Sequence, residues 1–137
     1  MATALVVLIA ENDQDMRGYV RRCVEKHGVE IEEIIEARDG QKALEIVRGR
    51  RIDLLITDGV MPRLDGFALC AAIRREPADH STRVLVITGQ FDPHDAERRA
   101  RVAGADGILL KPFNAISLCE KIDEVLSGRS PPIQKTQ

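Results

Sequence analysis

The chain has 137 residues, one domain's length with room for a full hydrophobic core, and is 44% hydrophobic and 31% charged. A formal net charge of -2 gives no electrostatic footprint for nucleic acid. The arginine clusters (Arg48, Arg50, Arg51; Arg98, Arg99, Arg101) sit among acids, as solvated helix faces and ends do. Cys23, Cys70 and Cys119 lie far apart without a C-x-x-C, and His27, His80 and His94 lack ligand spacing, so neither a disulfide framework nor a His/Cys metal site is expected.

Residues 4–10, "ALVVLIA", are a continuous apolar run and read as the first strand. The run is too short to span a bilayer and lacks the basic flank of a signal peptide, so a cytoplasmic chain without membrane contact is expected. After the polar "ENDQD", Met16, Val20, Cys23 and Val24 recur at helical spacing until Gly28, a C-terminal stop. "EEIIEA" (32–37) is the second strand, and Asp39-Gly40 opens a helix carrying Ala43, Leu44 and Val47. "IDLLIT" (52–57) is the third strand, followed by a helix from about Gly66 to Arg75 that must end near Pro77.

"RVLVIT" (83–88) is the fourth strand. Asp92-Pro93 supplies an N-cap and first helical position, with Ala96, Ala100 and Ala103 on one face and Gly104 at the end. "GILL" (107–110) is the fifth strand, and the last helix starts at Asn114 with Leu118, Ile122, Val125 and Leu126 facing inward. A single domain over 1–127 is expected, with the polar, proline-paired residues 128–137 as a flexible tail or the start of a linker.

Strands alternating with helices predict an α/β fold: right-handed crossovers and a five-stranded parallel sheet covered on both faces by five helices. Strands buried on both faces should be continuous apolar runs, as the first, third and fourth are. Ligands of such sheets bind beyond the carboxyl ends of the strands. That places Glu11, Asn12 and Asp13, then Asp58, then Thr88 and Gly89, then Lys111 and Pro112 on one edge.

A carboxylate ending a buried strand must reach solvent or meet a cation. No G-x-G-x-x-G follows the first strand and no G-x-x-x-x-G-K-[ST] occurs, which argues against familiar nucleotide binding. Oxygen donors with excess negative charge suit Mg²⁺ (or Mn²⁺). A carboxylate beside such an ion can attack a phosphoryl group and carry it as an acyl phosphate, while a lysine and a hydroxyl steady the transferring oxygens. Asp58 is the residue so placed.

"LIAEND", "LLITDGVMPRLDG", "VLVITG" and "GILLKPF", in this order and spacing, resemble the response-regulator receiver domain of two-component signalling over about residues 4–127. The resemblance implies the flavodoxin-like strand order 2-1-3-4-5, which spacing alone does not supply. It also implies Asp58 as phosphoacceptor, Glu11 and Asn12 as the metal-binding pair, and Val60 as a backbone-carbonyl ligand. Thr88 matches the switch hydroxyl, Lys111 its phosphoryl-pairing lysine, and Lys111-Pro112 a peptide bond commonly cis in the family. Gly89, Pro112 and Ile108 are supporting positions.

Two departures stand out. Asn12 replaces the usual aspartate, with Asp13 a further metal candidate or merely a helix cap. Ile108 replaces an aromatic that reports the state of the switch hydroxyl. The implied partners are a sensor histidine kinase or phosphotransfer protein, and a downstream protein or C-terminal output domain. The resemblance implies no classical enzyme, at most self-phosphorylation from small phosphodonors and self-dephosphorylation.

The competing expectation is a pseudo-receiver, an interaction module that is never phosphorylated. A haloacid-dehalogenase-type phosphatase ranks lower, because Val60 stands where that class needs a second acid. A flavin-binding relative ranks lower still, at 3% aromatics without tryptophan.

Overall fold

The computed structural model describes residues 4–76 and 81–128. The expected stop at Pro77, His80, and residues 129–137 of the expected tail lie outside the described residues. Five strands alternate with five helices: β1 (Leu5–Ala10), α1 (Gln14–His27), β2 (Ile31–Ala37), α2 (Gly40–Gly49), β3 (Leu54–Asp58), α3 (Gly66–Arg74), β4 (Arg83–Thr88), α4 (Pro93–Ala103), β5 (Gly107–Leu110) and α5 (Ala115–Ser127). The strands form one parallel sheet in the order β2-β1-β3-β4-β5, as the resemblance implied.

The period of two along each strand divides the core into two layers. Val6, Leu8, Leu55, Val84 and Val86 pack under α2, α3 and α4. Val7, Ile9, Leu54, Ile56, Leu85 and Ile87 pack under α1 and α5. The central strands thus bury every residue except one at an end of each, Leu5, Asp58 and Arg83, which is why they read as apolar runs.

Each helix begins on an Asp or Asn whose side chain accepts an amide of the first turn: Asp13 from Met16 (2.9 Å), Asp39 from Lys42 (2.8 Å), Asp65 from Ala68 (2.7 Å), Asp92 from Asp95 (3.0 Å) and Asn114 from Ser117 (2.8 Å). Such caps satisfy amides that have no intrahelical partner, at about 1 kcal/mol each. Gly28, Gly104 and Gly128 end α1, α4 and α5 in the left-handed conformation.

The bounds of the first three strands differ from the sequence expectation, β1 beginning at Leu5 instead of residue 4. β2 starts at Ile31, one residue early, opposite a register shift between Leu5 and Val6. β3 runs from Leu54 to Asp58 instead of 52–57, because pairing with β4 continues to Asp58 opposite Ile87. Asp53 steps out of the strand, its Oδ2 accepting the Val6 amide at 2.8 Å. No helix among the described residues is long and apolar enough to cross a membrane. The arginines near α2 are paired with acids on exposed faces, Arg48 with Glu76 and Arg50 with Glu33.

Candidate phosphoacceptor site

At the carboxyl edge of the sheet, the ends of β1, β3, β4 and β5 bring together the groups that the sequence had scattered. Asp58 closes β3 with its side chain only 10% exposed, and Lys111, just past β5, places Nζ 3.2 Å from Asp58 Oδ1. Burial raises the Asp58 carboxyl above the usual range; the Lys111 ammonium and the amides of Gly59 and Val60 pull it partly back. The cation demanded by a carboxylate at a strand end is therefore Lys111.

Glu11 follows β1 and is buried, its own amide donating to Ala37 O at 3.0 Å. Burial again raises its carboxyl, and the negative charges of Asp58 and Asp13 add to the rise. The Asp13 amide, donating to Glu11 Oε2 at 3.0 Å, and the Lys111 charge oppose it. Two carboxylates largely withdrawn from water thus share one ammonium and disfavour each other's charge.

Thr88 ends β4 fully buried. Its Oγ1 accepts the Gln90 amide at 3.3 Å, and its carbonyl accepts the Lys111 amide at 3.0 Å, tying the β4 and β5 ends together. Gly89 lets that approach happen, since a Cβ there would lie 3.0 Å from Lys111 Cβ. The Lys111-Pro112 bond is cis, and Ile108 is buried in β5 opposite Val86.

Asn12 is exposed at the rim, in a cleft of about 620 Å³ shared with Arg38, Lys42, Pro62 and Arg63. The Asp13 carboxylate is used as the α1 cap. Val60 is exposed in the loop after Asp58.

Gly59 and Gly66 were not singled out as site residues in the sequence. A Cβ on Gly59 would press against the Phe67 ring and Thr88, at 3.0 Å from each. One on Gly66 would fall 2.1 Å from the Asp58 carbonyl oxygen. The available signal was the pair of glycines flanking "VMPRLD", each beside an acid. Arg17 is a second omission: its Nη1 donates to Glu11 O at 2.8 Å and its Nε to Glu36 at 2.8 Å, bracing the β1–α1 loop.

Among the described residues, no three His, Cys, Asp or Glu side chains are grouped to hold a metal ion. The donor chemistry nonetheless fits Mg²⁺. Glu11 and Asp58 supply hard oxygens whose mutual repulsion a cation would relieve, and an amide and a main-chain carbonyl can complete an oxygen set.

The family model for the response regulator receiver domain matches residues 7–123. Over 121 residues the chain is 36% identical to the transcriptional regulatory protein PdtaR of Mycobacterium tuberculosis (strain ATCC 25618 / H37Rv), covering 88% of this chain and 56% of that protein. Over 126 residues it is 33% identical to response regulator MprA of Mycobacterium sp. (strain KMS), covering 91% and 52% respectively. The chain spans about half the length of the curated relatives it matches.

Among solved structures, the chemotaxis response regulator CheY4 of Vibrio cholerae superposes with a TM-score of 0.79 at 29% identity, covering 90% of this chain and 99% of that one. The receiver domain of the putative response regulator NarL from Mycobacterium tuberculosis gives 0.79 at 28% identity, covering 93% and 100%. A parallel 2-1-3-4-5 sheet whose edge carries an aspartate held by a lysine, together with these matches, places this chain in the response-regulator receiver-domain family.

Proposed function

We propose that this receiver domain is a phosphoryl-accepting switch and that Asp58 is its acceptor. The observation that carries the proposal is the Lys111–Asp58 pair, 3.2 Å apart at a buried strand end beside a hydroxyl. The phosphodonor is a phosphohistidine of a sensor kinase or phosphotransfer protein. An Asp58 carboxylate oxygen attacks phosphorus, the new O–P bond forms as the N–P bond breaks, and the imidazole nitrogen leaves with the electron pair.

Lys111 opposes the burial that disfavours the Asp58 carboxylate and meets the transferring oxygens as they gain charge. The Gly59 and Val60 amides also favour the charged carboxylate. Thr88, buried and tied through its carbonyl to the Lys111 amide, supplies a hydroxyl that can turn toward the new phosphoryl group. Glu11, Asp58, Asn12 and the Val60 carbonyl, with Asp13 a further candidate, would hold Mg²⁺, whose chemistry there would be to neutralise phosphoryl charge. The output passes through α4 and β5, to a downstream protein or an output domain.

The test is intact mass after incubation with Mg²⁺ and acetyl phosphate. Wild type gains one phosphate and Asp58→Asn gains none; equal labelling of both would refute the assignment. A second reading rests on Asn12, an amide where a metal-binding acid is expected: a pseudo-receiver that acts through its surfaces alone. An unlabelled wild type, folded and in Mg²⁺, would favour it.

A further inference from the structure

The phosphoacceptor chemistry leaves the groove between α3 and α4 unused. It is a depression of about 420 Å³, walled by Phe67, Ala68 and Ala71 with Asp65 at one end, and by Arg98, Arg99 and Val102 on the other side. Val102 is 82% exposed and adds nothing to the core, because α4 turns Ala96, Ala100 and Ala103 inward. Arg98 is paired with Asp95 within α4, and Asp65 is engaged as the α3 cap.

Arg99 differs from its neighbour. No carboxylate pairs with it among the described residues; its guanidinium carbon stands 4.2 Å from the centre of the Phe91 ring. That contact steadies the cation against the ring, and none of its N–H groups meets an acceptor among the described residues. Phe91 meets Phe67 edge-on at 5.8 Å, so the cation stands on a braced pair of rings. The groove therefore combines an apolar floor of small side chains, an exposed valine and one held, uncompensated positive charge.

We propose that this α3–α4 groove is a docking surface for an acidic helical segment of a partner protein. An apolar side chain of the segment enters between the α3 alanines and Val102, and a carboxylate takes the edge of Arg99 as a charge-assisted pair. Charge complementarity selects this occupant, since an apolar or basic segment leaves Arg99 unpaired or repelled. The proposal does not depend on Asp58 accepting a phosphoryl group.

The test is an amide NMR titration of the ¹⁵N-labelled chain with a capped peptide carrying Leu at i, i+3, i+4 spacing and Glu elsewhere. Its counterpart has Lys in place of Glu. The acidic peptide is expected to shift the amides of Ala68, Ala71, Arg99 and Val102, and the lysine peptide to leave them in place. Arg99→Glu should weaken the acidic peptide at least about tenfold and admit the lysine peptide. Val102→Ser, at an exposed position, should weaken it several-fold without unfolding the domain.

Shifts confined to other faces, or unchanged affinity in Arg99→Glu, would overturn the proposal. So would dilution-dependent changes of the same amides without peptide, which would make a second copy of the chain the occupant.

Discussion

Gly66 lies directly beneath Asp58: a Cβ on residue 66 would sit 2.1 Å from the Asp58 carbonyl oxygen. The Gly66 amide also donates to Gly59 O at 2.9 Å, closing the loop that follows Asp58. The start of α3 and the end of β3 therefore touch backbone to backbone, and only a hydrogen fits between them. Gly66→Ala must push α3 away from β3. We expect a loss of about 1–3 kcal/mol, read from a denaturant midpoint, and slower phosphate gain at Asp58. An alanine variant as stable as wild type would show that the contact relaxes freely.

The acid site makes stability depend on pH in a stated direction. Asp58 and Glu11 have carboxyls raised in the fold, so between the ordinary carboxylate range and their folded values the native state binds more protons than the unfolded chain. Stability then falls as pH rises through that window. Asp58→Asn removes a buried charge and is expected to raise the midpoint at pH 7, with the gain vanishing below the unfolded carboxylate range. Chemical denaturation across pH 3–8 reads both effects, those bounds spanning roughly the ordinary carboxylate range to neutrality. A gain that grew towards acid would reverse the sign.

Asn12 and Asp13 separate by role. Asn12→Asp adds a charge to the oxygen set and should tighten Mg²⁺ binding, since ligand charge helps set affinity for hard cations. Asp13→Asn keeps a good cap for α1 and should leave Mg²⁺ affinity unchanged, whereas Asp13→Ala should cost about 1 kcal/mol through the lost bond to Met16. A Mg²⁺ titration followed by amide shifts, beside melting of each variant, distinguishes these outcomes. Loss of Mg²⁺ affinity in Asp13→Asn would make Asp13 a ligand as well as a cap.

The α4 helix is anchored by three alanines, which bury little apolar area, and by the Phe91 ring between Phe67 and Arg99. Residues 93–103 should exchange amide hydrogen faster than α5, which buries Leu118, Ile122 and Val125. Phe91→Ala should cost about 1 kcal/mol through the lost ring pair and speed exchange in α4 selectively. Uniform protection of α4 and α5 in both proteins would show that the alanine face suffices.

Lys111→Ala leaves the Asp58 carboxyl without its ammonium, so burial should raise it further. Folding should be near normal, because Lys111 is partly exposed and its backbone tie to Thr88 is kept. Labelling by acetyl phosphate should slow by at least about tenfold, as for removal of one transition-state charge partner. Unchanged labelling would detach Lys111 from the chemistry.

The order of strands and helices was legible in the sequence because periodicity is local. "VVLIA", "LLIT" and "VLVIT" could only be strands covered on both faces, and Asp39, Asp92 and Asn114 stood before their helices as caps do. The convergence of Glu11, Asp58, Thr88 and Lys111 was legible too, since parallel strands must present their carboxyl ends on one edge. Strand order was not, because spacing does not choose a neighbour; only the resemblance supplied it.

What tertiary packing alone decided are relationships between atoms far apart in the chain. Lys111 lies 3.2 Å from Asp58, Gly59 leaves room for Thr88 and Phe67, and Phe91 meets Phe67 of α3 and Arg99 of α4. A residue type and its period say which face it takes. They do not say which side chain from another strand shares its space, because that depends on the twist, register and close packing of the whole sheet.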